Sequence, residues 1–122
     1  MKVLIIDDEP QIRDIFAQFV ELLGHEADVA ADGREGLGRF DPLVHKIVVT
    51  DFLMPGLTGL EVAAAIRARS RTTPIVMISG FAKPDDERQA VATGLQFVRK
   101  PLTFAQFEAT MAEIVPQAGA AP

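Results

Sequence analysis

Two kinds of hydrophobic pattern alternate along this chain. Five short apolar runs stand out: Val3–Ile6, Ala27–Ala31, Ile47–Val49, Ile75–Ile78 and Leu95–Val98. Continuous runs rich in Val and Ile predict strands buried on both faces of a parallel sheet. The Ala27–Ala31 run is the weakest of the set. Between the runs, apolar residues recur at spacings of three and four. Ile12, Ile15, Phe16, Phe19, Leu22 and Leu23 predict an amphipathic helix entered at Pro10 and left at Gly24. Thr58-x-x-Glu61 reads as a capping box that opens a helix carrying Val62, Ala63 and Ile66, and Thr103-x-x-Gln106 opens another carrying Phe107, Met111 and Ile114. Gly33–Phe40 and Asp85–Thr93 predict weaker helices, because the first holds three glycines and the second has little apolar stripe. Strand and helix thus alternate five times, which predicts an α/β, doubly wound, five-stranded parallel sheet with right-handed crossovers and helices on both faces.

The polar residues fall at the ends of the strong strands. The first strand ends at Asp7 and Asp8, IVVTD ends at Asp51, PIVMISG leads to Ser79, and LQFVRKP ends at Lys100. Open α/β sheets bind ligands at the carboxyl ends of their strands, where the strand order reverses, so these residues are expected to share one crevice. Two unit charges about 4 Å apart, at an effective dielectric near 20, repel by about 4 kcal/mol. One lysine cannot offset a trio of carboxylates. Either a carboxylate keeps its proton or a cation joins the cluster. Hard oxygen ligands that leave room for water suit Mg²⁺. Each residue also has a structural reading. The acids before Pro10 suit a helix amino terminus, Asp51 suits the turn DFLMPG, Ser79 a Ser-Gly loop, and Lys100 a solvated surface. A single site accounts for all of them together.

Composition narrows the choices. The 122 residues, 48% of them hydrophobic, suit one domain with one core. A net charge of −5 argues against direct nucleic-acid binding. The absence of cysteine removes disulfide, thiol and zinc-ribbon chemistry. No apolar run approaches the roughly 18 residues of a membrane helix, and Val3–Ile6 is too short for the apolar part of a signal peptide. The expected location is the cytoplasm, with no membrane partner. The expected domain covers residues 1–116, with 117–122 as a tail or linker stub.

Other sites on similar folds fit poorly. A flavodoxin-type loop would cradle phosphate after the first strand, but DDEP repels it. Gly33, Gly36 and Gly38 lack the order and place of a dinucleotide fingerprint. An aspartyl-phosphate hydrolase commonly carries a second Asp two residues after its nucleophile, where this chain has Leu53. His25 and His45 have no metal-like spacing and read as surface or packing residues.

On IIDDEP, TDFLMPGLTG, MISGF and F-V-R-K-P, the chain resembles the receiver domain of bacterial two-component response regulators from Lys2 to about Val115. The resemblance implies a flavodoxin-like strand order 2-1-3-4-5. It implies that Asp51 accepts phosphate from a histidine kinase or phosphotransfer domain docking near the first helix and Thr103. It implies Mg²⁺ as cofactor, held by Asp7, Asp8, Asp51 and the backbone carbonyl of Leu53, with Asp7 acting mostly through water. Lys100 and Ser79 would contact the phosphoryl group, Phe97 would be the switch aromatic, and Lys100-Pro101 would be a cis bond. The signalling face would lie on Asp85–Glu113. The expected function is a phosphorylation-activated switch that acts by protein contact, promotes its own modification and has no external turnover substrate.

The departures from the family are specific. Lys46 stands where the family often has Asp, five residues before the acceptor. Phe97 lacks a hydroxyl. Leu53 and Phe81 occupy positions that tune phosphate lifetime in receivers, and neither can orient an attacking water; slow self-dephosphorylation is the expectation. Met1 directly before the first strand favours a natural amino terminus over the tail of a hybrid kinase. Three alternatives stay open: a receiver cut from a longer regulator with an output domain after residue 122, a non-phosphorylated interaction module on the same fold, and a small phosphatase.

Overall fold

The computed structural model describes residues 1–118. Its elements run β1 (Lys2–Ile6), α1 (Pro10–Leu22), β2 (Glu26–Ala30), α2 (Gly33–Arg39), β3 (His45–Asp51), α3 (Gly59–Arg69), β4 (Ile75–Ser79), α4 (Pro84–Ala92), β5 (Gln96–Arg99) and α5 (Phe104–Ala118). All strand pairs are parallel, and the sheet order is β2-β1-β3-β4-β5, as expected.

The Val and Ile runs are continuous because alternate residues feed two cores. Leu4, Ile6, Val48, Ile75 and Met77 pack on one face against Val62 and Ile66 of α3 and Ala90 of α4. Val3, Ile5, Ile47, Val49, Val76 and Ile78 pack on the other against Phe16 and Val20 of α1 and Phe107, Met111 and Ile114 of α5. Full burial of each such side chain stabilises the fold by about 1.5–3 kcal/mol, which makes β1, β3 and β4 a rigid frame for whatever hangs from their ends.

The helix starts follow from their caps. Thr58 Oγ1 accepts from the Glu61 N–H at 3.3 Å while the Glu61 side chain accepts from the Thr58 N–H at 3.0 Å. Thr103 and Gln106 make the same reciprocal pair at 3.1 and 2.9 Å. Helix α2 forms despite its glycines because two of them permit close approach. A Cβ on Gly36 would lie 2.3 Å from Ile6 Cδ1, and one on Gly33 would lie 2.7 Å from Val62 Cγ2. Each glycine costs about 1 kcal/mol of helix propensity, which packing and the Asp32 cap offset.

One expectation differs in detail. Helix α5 continues through Pro116 to Ala118, so the first two residues of the expected tail are helical, held by Val115 and Ala118 against the core. The rest of that tail, residues 119–122, lies outside the described residues. His45 is fully buried; its ring stacks on Phe40 and its Nε2 lies 2.7 Å from Asp28 Oδ2. His25 sits near the surface beside the Met1 amino group. Among the described residues, no helix is long and apolar enough to cross a membrane.

Candidate functional site

Strand β1 delivers Asp7 into a buried position, 1% exposed, at the carboxyl edge of the sheet. Its N–H continues the ladder to Ala30 O at 3.2 Å. Its Oδ1 accepts from the Glu9 N–H at 2.9 Å, which turns the chain toward α1. The guanidinium of Arg13, one turn into that helix, donates to Asp7 O at 3.0 Å and fastens the loop. Glu9 occupies the N-cap of α1 but makes no side-chain cap bond, so helix capping does not account for the acid cluster. Asp8 is half-buried beside Asp7.

Strand β3 ends on Asp51, 7% exposed, whose Oδ1 accepts from the Phe52 N–H at 2.8 Å. Carboxylate oxygens of Asp7, Asp8 and Asp51 lie within 4.8 Å of one another. Lys100 Nζ reaches in from the end of β5, 3.3 Å from Asp7 Oδ2 and 3.4 Å from Asp51 Oδ1. Burial, then the charge of Asp7, push the Asp51 carboxyl up to about 6, although Lys100 and the Phe52 N–H pull the other way. Burial pulls Lys100 down, but Asp51 and Asp7 outweigh it and leave the ammonium above its ordinary value.

The remaining residues surround this cluster. Ser79 ends β4, is buried, and its Oγ accepts from the N–H groups of Phe81 and Ala82 at 3.1 and 3.2 Å. Lys100 N donates to Ser79 O at 3.0 Å, which ties β5 to β4 at this edge. The Lys100-Pro101 bond is cis. Phe97 is half-buried in β5, packed on the α3 and α4 core, with the Arg99 guanidinium 5.6 Å from its ring centre. Arg99 in turn bonds Glu87 of α4 at 2.5 Å. Leu53 lies in the loop after β3 and is 48% exposed; Phe81 is 80% exposed. Beside Phe81 a cavity of about 440 Å³ opens between Ile12, Ile15, Phe81 and Leu102.

Sequence reasoning overlooked two supporting residues. Arg13 was signalled only as an arginine one turn beyond three acids. Gly59 opens α3 directly on the Asp51 backbone: a Cβ there would stand 2.4 Å from Asp51 O. Its N–H donates to Phe52 O at 2.7 Å. Its signal was a glycine placed immediately after a capping threonine.

A 2-1-3-4-5 parallel sheet with acids, a hydroxyl and a lysine on its carboxyl edge defines a doubly wound domain that gathers charge at its strand switch point. The family described as "Response regulator receiver domain" matches residues 3–112, and the chain belongs to that family. It is 30% identical over 118 residues to the sensory transduction protein RegX3 of Mycobacterium tuberculosis, covering 96% of this chain and 52% of RegX3. Among solved structures it is similar to chemotaxis protein CheY4 of Vibrio cholerae, 30% identical with a TM-score of 0.85, over 93% of this chain and 97% of that one. It is also similar to response regulator TrrA of Thermotoga maritima in complex with Mg²⁺-BeF, 28% identical with a TM-score of 0.82, over the same shares. The chain spans about half the length, or less, of the curated relatives it matches. Receiver domains are signalling switches of two-component systems and not enzymes acting on an external substrate.

Proposed function

We propose that this domain is switched by transfer of a phosphoryl group from a histidine kinase or phosphotransfer domain onto Asp51, with Mg²⁺ as cofactor. The observation that carries the reading is Lys100 Nζ bridging Asp7 and Asp51 inside a buried cluster of carboxylates. The donor set fits Mg²⁺: hard carboxylate oxygens gathered within 4.8 Å, an Asp51 carboxyl raised by burial and then by the charge of Asp7, and a half-buried Asp8 that leaves room for water. Asp7, Asp8 and Asp51, with the Leu53 carbonyl, would hold the ion. When bound it would neutralise charge on the carboxylates and on the incoming phosphoryl oxygens.

The chain's own groups supply the rest. The Phe52 N–H and Lys100 both lie against Asp51 Oδ1, which orients Oδ2 as the nucleophile. Oδ2 attacks phosphorus, the P–N bond to the donor imidazole breaks, and the departing nitrogen keeps the electron pair; the product is an acyl phosphate. Lys100 then pairs with a phosphoryl oxygen. Ser79 Oγ accepts from two N–H groups, so its own proton is available to donate after rotation. Its movement carries the Phe81–Ala82 backbone with it and opens space for Phe97, a repacking that biases α4 and β5 as the signalling surface. The apolar cavity between Ile12, Ile15, Phe81 and Leu102 supports docking of a donor helix against α1.

The domain acts by protein contact, in the cytoplasm, either by itself or, as the length of its relatives favours, as the receiver portion of a longer regulator. The test is incubation with acetyl phosphate and Mg²⁺, read by intact mass. Wild type is expected to gain one phosphate and Asp51→Asn none. Equal labelling of both would overturn the assignment, and release of phosphate from a generic ester would favour a phosphatase.

A further inference from the structure

At the end of the sheet opposite Asp51, a cavity of about 490 Å³ lies between the α2–β3 loop, the start of β3 and the α3–β4 loop. That volume lies within the range of small-molecule sites. Its walls are fixed. Arg69 donates to Leu37 O at 3.0 Å and Phe40 O at 2.7 Å, and lies over the Phe40 ring. The Ser70 and Thr73 hydroxyls bond each other at 2.6 Å, and Arg67 holds Thr73 O at 2.5 Å. The rim is different. Lys46 and Arg71 are exposed, line the cavity, and have no hydrogen-bond or ion-pair partner among the described residues. Among the described residues that line it, none is acidic, although the chain as a whole carries a net charge of −5. Leu43, 84% exposed, and Pro42 form an apolar lip.

We propose that this cavity binds a small organic phosphate, with its phosphoryl group between Lys46 and Arg71 and its apolar or planar portion against Pro42 and Leu43. Charge complementarity selects an anion. The Thr72 hydroxyl, and whichever of the paired Ser70 and Thr73 hydroxyls does not donate to the other, supply donors to phosphoryl oxygens. Two flexible cations above a rigid polar floor suit a phosphate, and the apolar lip suits an organic group attached to it. The proposal does not depend on phosphorylation of Asp51.

The experiment uses the full chain in EDTA, titrated with ADP, ribose 5-phosphate and inorganic phosphate. Amide resonances are followed by ¹H–¹⁵N NMR, and affinity by calorimetry at two salt concentrations. Saturable ADP binding is expected, with shifts centred on residues 43–46 and 69–73 and an affinity that falls as salt rises. Organic phosphates should bind more tightly than inorganic phosphate. Lys46→Ala with Arg71→Ala should weaken ADP by at least about tenfold, the loss of charged hydrogen bonds, with an unchanged far-ultraviolet spectrum and unchanged labelling by acetyl phosphate. Absence of saturation, shifts centred on Asp51, equal affinity for inorganic phosphate and ADP, or unaltered binding by the double variant would each overturn it.

Discussion

The Asp51 carboxyl should destabilise the metal-free protein in a way that a single substitution reveals. Its pKa is raised from 3.8 to about 6. Between those values the native state holds a proton that the unfolded chain has lost, so stability falls as pH rises. The penalty is absent below 3.8 and complete above about 6. A shift of about two units at about 1.4 kcal/mol each gives about 3 kcal/mol, already net of the favourable contacts with Lys100 and the Phe52 N–H. Asparagine at this position keeps an acceptor for the Phe52 N–H and carries no charge. In EDTA at pH 8, Asp51→Asn is therefore expected to be more stable than wild type by about 2–3 kcal/mol. With a urea dependence of about 1–3 kcal/mol per molar, the midpoint should rise by roughly 1–2 M. At pH 4 the two proteins should converge. The difference between wild type and variant cancels titrating groups remote from Asp51, such as Asp28, whose carboxyl is held low chiefly by its bond to His45, and leaves Asp51 with its direct partners Asp7 and Lys100. A variant no more stable than wild type at pH 8, or a gap that does not close on acidification, would refute the claim that burial and Asp7 strain this carboxylate.

Gly59→Ala should cost about 1–3 kcal/mol by urea denaturation, and should impair labelling of Asp51, because the added methyl meets the Asp51 carbonyl with no flexible side chain to yield. Leu53→Asn should shorten the lifetime of the phosphorylated form, measured as its decay after donor removal, since the wild-type side chain cannot orient a water; a lifetime of seconds in wild type, unchanged in the variant, would end that idea. His45→Ala should destabilise by about 2–4 kcal/mol, through lost packing on Phe40 and the orphaned Asp41 N–H and Asp28 carboxylate, with phosphorylation intact.

Much of this was legible in the sequence because strand burial on both faces writes itself as Val and Ile runs, and the residue ending each run must stand at one edge. Asp7, Asp51, Ser79 and Lys100 follow from that rule alone. What the rule does not carry is anything decided by contact between distant elements. Helix α2 reads as weak on propensity, yet Gly33 and Gly36 are there because Val62 and Ile6 leave no space for a side chain. His45 reads as a packing residue; its partner Asp28 is on β2, and the two bond directly across β1, where Lys2 pairs with His45 on one side and Leu4 with Asp28 on the other. The helical continuation across Pro116 depends on Val115 and Ala118 finding the core, which a local reading of PQAGAAP does not see. Arg13 is invisible for the same reason, since its acceptor is a backbone carbonyl.

Strand β3 carries a different chemistry at each end. Asp51 closes one end and His45 opens the other, with Lys46 beside it. Six residue steps at about 3.3 Å put the ends about 20 Å apart. That exceeds the screening length of about 8 Å at physiological salt, and Lys46 and Arg71 are exposed to that salt, so the cationic rim exerts little field on the acid cluster. The core between them is apolar and fully packed along Ile47, Val48 and Val49. Coupling between the ends therefore has to pass through a shift of the strand, not through charge. Neutralising Lys46 and Arg71 should leave the Asp51 pH transition in place. If the double variant instead moved that transition at 0.15 M salt, and more salt did not reverse the change, β3 would be transmitting a displacement between the two ends.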